Sequence, residues 1–129
     1  MALSEGDQIP ELRVTPDKYL PHRYAGASGD FNPIHIDPEF AKAVGLPNTI
    51  LHGLYMMGLA ARAATEAAGG DPRSLKRLSV QFRGMGAPET EIAVTGTVRS
   101  VDGELATIEP VAAQGDNQTI RNAEAEVEL

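Results

Sequence analysis

The sequence predicts one α+β domain in which a curved antiparallel sheet wraps around a long central helix. Its 129 residues suffice for a single core and a single domain, residues 1–129. Residues 52–68 are almost all apolar or small and precede Gly69-Gly70, as expected of a buried helix with a glycine stop. Beyond Pro72 the apolar residues recur at every second position, which is the period of strands. Because the chain has no other large apolar layer, one face of the sheet must cover this helix.

The segment before the central helix predicts short elements. A weak strand is expected over residues 7–14. Thr15 and Pro16 form a helix-start signal, with Thr15 as the N-cap. Because Pro21 disturbs that helix, we expect it to be broken or to start late, and to end near Ala27.

An irregular loop and a short helix are expected next. Residues 26–33 are rich in Gly, Asn, Asp and Pro, which favour loops. Asp37 and Pro38 then start a second helix, which Gly45 stops.

Four sequential antiparallel strands are expected after the central helix. The first covers residues 77–83. An Asp102-Gly103 hairpin turn separates the second, over 92–98, from the third, over 105–111, where Pro110 marks an edge or a bulge. In the last strand the residues that point inward are Ala123, Ala125 and Val127. Edge strands of so small a sheet are available to pair with a second copy, so we predict a dimer.

Composition excludes several classes of function. The chain has no Cys, which removes disulfides, thiolate nucleophiles and Cys-ligated metals, and its three His leave little material for a metal site. A net charge of −7 and 5% aromatic residues argue against nucleic-acid binding. Residues 71–83 are locally basic, which indicates either a solvated strand face or a site for an anionic ligand.

The sequence predicts a cytoplasmic protein. The longest apolar run, residues 53–61, is too short to span a bilayer, so no membrane association is expected. The first ten residues lack a basic region followed by an apolar stretch, so no signal peptide is expected.

The densest polar cluster runs from Tyr24 to Asp37. Pro33 interrupts it, so Asp30 and His35 are expected on either side of a tight loop rather than on one helical face. A carboxylate and an imidazole held around one water suit general acid/base chemistry. The alternative is structural, with Asp30 capping a turn and His35 a satisfied, half-buried histidine.

A second cluster, residues 50–54, opens the central helix. The first N–H groups of a helix have no internal partner, and Gly53 lets a ligand oxygen approach them, as an oxyanion hole requires. Alternatively, Gly53 serves only close packing of helix and sheet. His52 is expected to cap or orient this donor without transferring a proton. His22, after Pro21, is expected to be structural and to lie on an exposed turn.

Residues 24–37 resemble the signature of the MaoC-like dehydratases, also called hydratase 2 or (R)-specific enoyl-CoA hydratases. The match holds at every defined position, and these are Tyr24, Ser28-Gly29-Asp30, Asn32-Pro33, His35 and Asp37. His52-Gly53, which opens a long helix, also fits. The resemblance covers about residues 15–128 and implies a single hotdog-fold domain.

The resemblance implies a catalytic site. Asp30 and His35 would activate water for syn addition to a trans-2-enoyl thioester, giving an (R)-3-hydroxyacyl thioester, or would run the reverse dehydration. The Gly53 N–H would bind the thioester carbonyl, and Asn32 would help hold the loop. No metal or redox cofactor is implied.

The resemblance also implies the handle of the substrate, which is coenzyme A or the phosphopantetheine of an acyl carrier protein. Asn32, His52 and Arg83 are the residues expected on the substrate-binding side. Arg83, with Arg77 and Lys76, is expected to meet the phosphates of coenzyme A or the acidic surface of a carrier protein. Where many relatives have a Pro-Gly-Asp turn, this chain has Ala87-Pro88-Glu89-Thr90, so no acyl channel is inferred from it. The small residues of the central helix either leave room for an acyl tunnel or permit close packing.

Several alternatives stay open. The chain is either a homodimeric enzyme or the catalytic subunit of a heterodimer with a paralogue, since it carries the complete signature. A non-catalytic acyl-thioester-binding module would need a broken Asp30/His35 pair, which the sequence does not show. A thioesterase on the same fold is disfavoured, because the signature belongs to hydratases.

Overall fold

The computed structural model describes residues 3–129 and confirms the α+β prediction. The helices are α1 Leu20–Ser28, α2 Pro33–Ile36, α3 Pro38–Ala43 and α4 Gly53–Ala67, with a 3₁₀ turn at Pro72–Ser74. The strands are β1 Leu12–Val14, β2 Leu75–Phe82, β3 Ile92–Asp102, β4 Leu105–Gln114 and β5 Asn117–Glu128.

All strands lie in one antiparallel sheet of order β1-β3-β4-β5-β2. β3, β4 and β5 follow one another as expected, but β2 pairs with β5 at the far edge instead of with its sequence neighbour β3. β1 holds the other edge and is shorter than the expected 7–14, since Gln8 adds only an isolated bridge to Thr97. The edges of this sheet are therefore β1 and β2.

One face of α4 packs on the sheet as predicted. Its buried side consists of Met56, Leu59, Ala60, Ala63, Ala64 and Ala67. The expectation of near-complete burial was wrong for the opposite side. On that side Leu54 is 62% exposed and Gly58 is also exposed, as are Arg62 and Glu66, which form an ion pair of 2.9 Å. No helix in the described part of the chain is long and apolar enough to cross a bilayer.

The first helix starts late, which was one of the two outcomes expected from the position of Pro21. It begins at Leu20, so Pro21 lies in its first turn, where a missing N–H costs nothing. Thr15 as the N-cap was wrong, because the helix starts four residues later with Tyr19 as its N-cap, and Tyr19 makes no side-chain cap hydrogen bond. The helix ends at Gly29, whose φ of 80° is left-handed.

Two expectations about the strands are refined. Pro110 lies in the central strand β4, not at an edge, and the β4–β5 register shifts across it, as the bulge alternative requires. Asn122, on the β5 side of this shift, has a φ of 49°. Asp102 pairs with Leu105, so the two-residue turn is Gly103-Glu104 rather than Asp102-Gly103.

A buried amide fixes the connection between β2 and β3. Gln114 donates to the carbonyls of Ala87 at 2.8 Å and Thr90 at 3.1 Å, and its Oε1 accepts the Ala87 N–H at 2.8 Å. Within this turn Glu89 has a left-handed φ of 62°. This conformation is one that glycine adopts readily and that costs a residue with a bulky side chain free energy.

Candidate active site

The loop between α1 and α2 is shaped by Asn32 and Pro33. Asn32 is extended, with φ −54° and ψ 125°, because the following proline disfavours helical geometry there. Its side-chain oxygen accepts the N–H of Ile34 at 3.2 Å and so caps α2. This tight turn carries Asp30 on one side and His35 on the other.

The structure brings Asp30 and His35 together. Oδ2 of Asp30 lies 3.8 Å from Nε2 of His35, which is beyond a direct hydrogen bond but close enough for both atoms to contact one small molecule. The Asp30 side chain is 54% exposed, whereas the His35 side chain is 10% exposed. The pair therefore joins an accessible carboxylate to a largely enclosed imidazole.

Each of these groups uses one polar atom for structure, and the other has no hydrogen bond within residues 3–129. Oδ1 of Asp30 accepts the Asn32 N–H at 3.2 Å, and Nδ1 of His35 bonds the Ile50 carbonyl at 2.8 Å. Because a carbonyl only accepts, Nδ1 carries the proton of the neutral ring, and Nε2 presents its lone pair toward the carboxylate. The structural and the catalytic interpretations of these residues are thus compatible.

His52 connects the loop to α4. Its ring is 2% exposed and stacks on His35, with 3.8 Å between ring centroids and a 20° interplanar angle. Its Nε2 bonds the Asp30 carbonyl at 3.0 Å. The residue is the N-cap of α4 by its backbone only, since its side chain makes no bond to the helix.

Gly53 opens α4 without a side-chain cap. The N–H of Tyr55 donates to the His52 carbonyl at 3.1 Å, whereas the N–H groups of Gly53 and Leu54, at the positive end of the helix dipole, have no side-chain partner within residues 3–129. They adjoin a cavity of about 280 Å³ lined by Tyr24, Ser28, Asp30, His52, Gly53, Leu54 and Phe82. Asp30, the His52 ring and the start of α4 thus surround one small volume, and His35, which lies behind His52 in the ring stack, is not among its lining residues.

Phe82 is the residue of this cavity that sequence reasoning did not single out. It ends β2 and is 53% exposed. A Cβ added to Gly53 would lie 3.2 Å from Cδ1 and Cε1 of the Phe82 ring, so a larger residue at position 53 requires this ring to shift by a few tenths of an ångström. The alternation of apolar and polar residues along β2 gave no sign of this contact, because Phe82 fits the same pattern as the more buried apolar residues of the strand.

A larger cavity of about 670 Å³ is lined by a different set of residues. Ile36 and Ile50 contribute to its lining, and the turn at residues 85–89 closes another side. His22 also lines it. That residue is exposed as expected but lies in α1, so its placement on a turn was wrong.

Asp30, His35 and His52 place potential metal-ligand atoms within 4.8 Å of one another. The rings of the two histidines are stacked, and the lone pair of an imidazole lies in the plane of its ring. Such lone pairs run side by side and do not meet at a point about 2.0–2.1 Å from both nitrogens, as zinc requires. The donor set therefore suits proton transfer better than metal binding.

The basic segment is partly neutralised within the chain. Arg73 pairs with Asp71 at 3.0 Å, and Nζ of Lys76 lies 3.8 Å from Glu128. Arg83 follows Phe82 and is exposed, but it is not among the residues lining the 280 Å³ cavity. A contact of Arg83 with substrate stays a prediction.

The chain is similar in sequence to known proteins. A family model described as a MaoC-like domain matches residues 4–119. The peroxisomal enoyl-CoA hydratase 2 of Arabidopsis thaliana is 45% identical over 75 residues, which are 57% of this chain and 23% of that protein. The chain therefore spans about a quarter of the length of this relative.

Solved structures resemble nearly the whole chain. The (R)-hydratase of A. caviae involved in PHA biosynthesis has a TM-score of 0.89 at 24% identity, covering 99% of this chain and 98% of its own. A chain of the ChsH1-ChsH2 complex of Mycobacterium tuberculosis has a TM-score of 0.87 at 24% identity, covering 100% and 99%. These likenesses identify the sheet wrapped on α4 as a hotdog fold.

Proposed function

The chain belongs to the MaoC-like dehydratase family, and we propose that it is a hydratase of 2-enoyl thioesters. The reaction is the reversible syn addition of water to a trans-2-enoyl thioester, giving an (R)-3-hydroxyacyl thioester. The observation that supports it best is Nε2 of His35 facing Oδ2 of Asp30 at 3.8 Å, beside the uncapped start of α4. The named hydratases among its relatives support the same class of reaction.

In this proposal Asp30 and His35 hold the reacting water between them. As the water oxygen bonds to C3, one water proton passes to the pair, and the electrons of the C2=C3 bond move toward the thioester carbonyl. The pair then returns a proton to C2, so one water is consumed and neither residue is changed. Both additions come from one face because both groups lie on one side of the substrate.

The start of α4 would stabilise the charge on the thioester oxygen. An enolate develops there while C2 carries the extra electron pair, and the Gly53 N–H would donate to its oxygen. A donor at the positive end of a helix is already oriented before the reaction starts, which is the condition for strong transition-state stabilisation. Asn32 would hold the loop that presents Asp30.

The substrate would carry its own handle, and no separate cofactor is proposed. Coenzyme A and the phosphopantetheine of an acyl carrier protein present the same thioester, and Arg83 is the residue proposed to meet their phosphates. Comparing turnover of crotonyl-CoA with that of the crotonyl carrier-protein thioester distinguishes the two handles. We also expect the reaction to take place in the cytoplasm, which cell fractionation would test.

We propose that the working unit is a dimer, formed with a second copy or with a paralogue. Several large apolar side chains near the site are exposed, and these include Leu54, Phe82, Phe31 and Met85. A partner that covers them would exclude water from the reaction and gain hydrophobic free energy. Light scattering at micromolar concentration tests this, and particles of only 13.7 kDa would contradict it.

Hydration of crotonyl-CoA is the direct test of the activity, because ultraviolet absorbance of the conjugated thioester falls as the double bond is consumed. Asp30→Asn keeps a side-chain oxygen that can accept the Asn32 N–H but removes the carboxylate that acts as the base. His35→Ala removes the imidazole. Each is expected to lower kcat by about 10²- to 10⁴-fold. The control Asp102→Asn alters an exposed residue that lines neither cavity and should leave kcat unchanged.

The other functions give different results in the same experiment. An acyl-thioester-binding module would bind the thioester without consuming it, and a thioesterase would release thiol to a trapping reagent. Wild-type rates in both the Asp30 and His35 variants would refute the site while leaving the activity standing. Release of (S)-product would refute the stereochemical assignment.

A further inference from the structure

His52 is the most enclosed polar side chain around the site, and the reaction proposed above gives it no proton to transfer. Its ring contacts two other rings. The His35 ring is stacked on it at 3.8 Å, and the Tyr24 ring lies 4.7 Å away at 44°. Its 2% exposure leaves almost no direct access for a substrate.

The hydrogen bond of His52 fixes its tautomer. Nε2 lies 3.0 Å from the Asp30 carbonyl, which can only accept, so the proton is on Nε2. Nδ1 is then a bare acceptor, and within residues 3–129 it is buried without a hydrogen-bond partner. An unsatisfied buried acceptor destabilises the folded chain, so fold stability alone does not account for a histidine here.

We propose that His52 is a positioning residue that aligns the acid and the base with a neutral imidazole. Its N–H holds the main chain of Asp30, and its ring face holds the plane of His35. One rigid side chain thus sets both positions, and it lies directly before Gly53 in the chain. This assignment rests on the proposed hydratase function and deepens it.

The assignment explains why a ring and an N–H are needed at one position. A stacked ring restricts rotation of His35, so Nε2 keeps facing Oδ2 of Asp30. The hydrogen bond to the Asp30 carbonyl holds the main chain of the loop at a residue whose side chain is accessible to solvent. Small displacements of catalytic groups cost large factors in rate, which makes such alignment valuable.

Three variants separate the two contributions. His52→Phe keeps a ring and removes the donor, His52→Gln keeps an N–H and removes the ring, and His52→Ala removes both. With crotonyl-CoA we expect kcat to fall about 10-fold or more in Phe and Gln and further in Ala. KM should stay within about threefold, because substrate binding is not the step affected. Asp102→Asn, at an exposed residue that lines neither cavity, is the control.

Thermal unfolding distinguishes positioning from a structural role. His52→Phe removes the unsatisfied buried acceptor together with the bond to the carbonyl of Asp30, which is an exposed residue. We therefore expect its Tm not to fall although its kcat does. A Tm that falls together with kcat in this variant would overturn the proposal, as would wild-type kcat in His52→Ala.

The wild-type chain supplies a measurement that needs neither a variant nor turnover. Nitrogen-15 NMR of the imidazoles should show His52 protonated at Nε2 and bare at Nδ1, and His35 protonated at Nδ1. Finding His52 charged, or protonated at Nδ1, near neutral pH would overturn the assignment. Because this result does not depend on activity, a chain that fails to hydrate crotonyl-CoA would refute the proposed function separately.

Discussion

Replacing Gly53 by Ala tests the oxyanion role of α4 most directly. The added Cβ would lie 3.2 Å from Cδ1 and Cε1 of Phe82, closer than ordinary van der Waals contact. Gly58 provides the matched control, since it is exposed in the same helix and a Cβ added there would meet nothing within 4 Å beyond the helix's own backbone. Both substitutions exchange glycine for the best helix former.

The two variants should differ in activity much more than in stability. Gly58→Ala is expected to raise the free energy of unfolding by up to about 1 kcal/mol and to leave kcat unchanged. In Gly53→Ala a similar gain is offset by the displaced Phe82 ring, which is half exposed and can move, so the net change stays within about 1 kcal/mol. Loss of one oxyanion donor lowers kcat by about 10²- to 10³-fold, and because the N–H here is obstructed rather than removed, we expect about 10- to 100-fold.

Urea unfolding and steady-state hydration of crotonyl-CoA measure both quantities. The double variant Gly53→Ala/Phe82→Ala removes the crowded ring but keeps the methyl group over the N–H, so kcat should stay low. Wild-type kcat in Gly53→Ala would refute the oxyanion reasoning. Full recovery in the double variant would show that the Phe82 ring, not access to the N–H, had limited the rate.

Three further predictions concern the frame around the site. Gln114→Leu removes three hydrogen bonds to the β2–β3 turn, two of them with Ala87, and should lower the free energy of unfolding by about 2–4 kcal/mol. A decrease of less than about 1 kcal/mol in urea unfolding would contradict this. Glu89→Gly relieves a left-handed φ of 62° and should raise the free energy of unfolding by about 1 kcal/mol, whereas a loss would show that the turn is not strained. The Asp17 pKa should lie below its ordinary value, because the Arg23 guanidinium hydrogen-bonds its carboxylate. The stabilisation from this pair is present above the unfolded-state pKa and is lost as pH falls through the folded-state pKa. Carbon-13 NMR titration checks it, and an unchanged Asp17 pKa in Arg23→Gln would be the contrary result.

The elements with a strong local signal were predicted well. The glycine stop and the apolar run defined α4 to within a residue at each end, and alternation identified Ala123, Ala125 and Val127 as buried. The partner of β2 was not predictable, because pairing with β5 is decided by the whole sheet. Leu54 was expected to be buried because apolarity does not reveal which face of a helix lacks a covering layer.

The candidate site was predictable where it is encoded in one short segment. Asp30 and His35 stand five positions apart around a proline, and their proximity follows from that loop. The stacking of His52 on His35 and the contact of Phe82 with Gly53 join distant parts of the chain, so no local pattern announces them. The chemical roles assigned to these residues stay predictions until the variants are measured.

At Ile50 the main chain and the side chain have separate roles. Its carbonyl fixes the proton on His35 and its N–H donates to Ile34 at 3.1 Å, so the main chain does both jobs whatever the side chain. The same residue lines the 670 Å³ cavity. Every amino acid except proline can therefore be tried there to reshape that space while the imidazole keeps its protonation pattern, which makes this position a starting point for redesigning ligand preference.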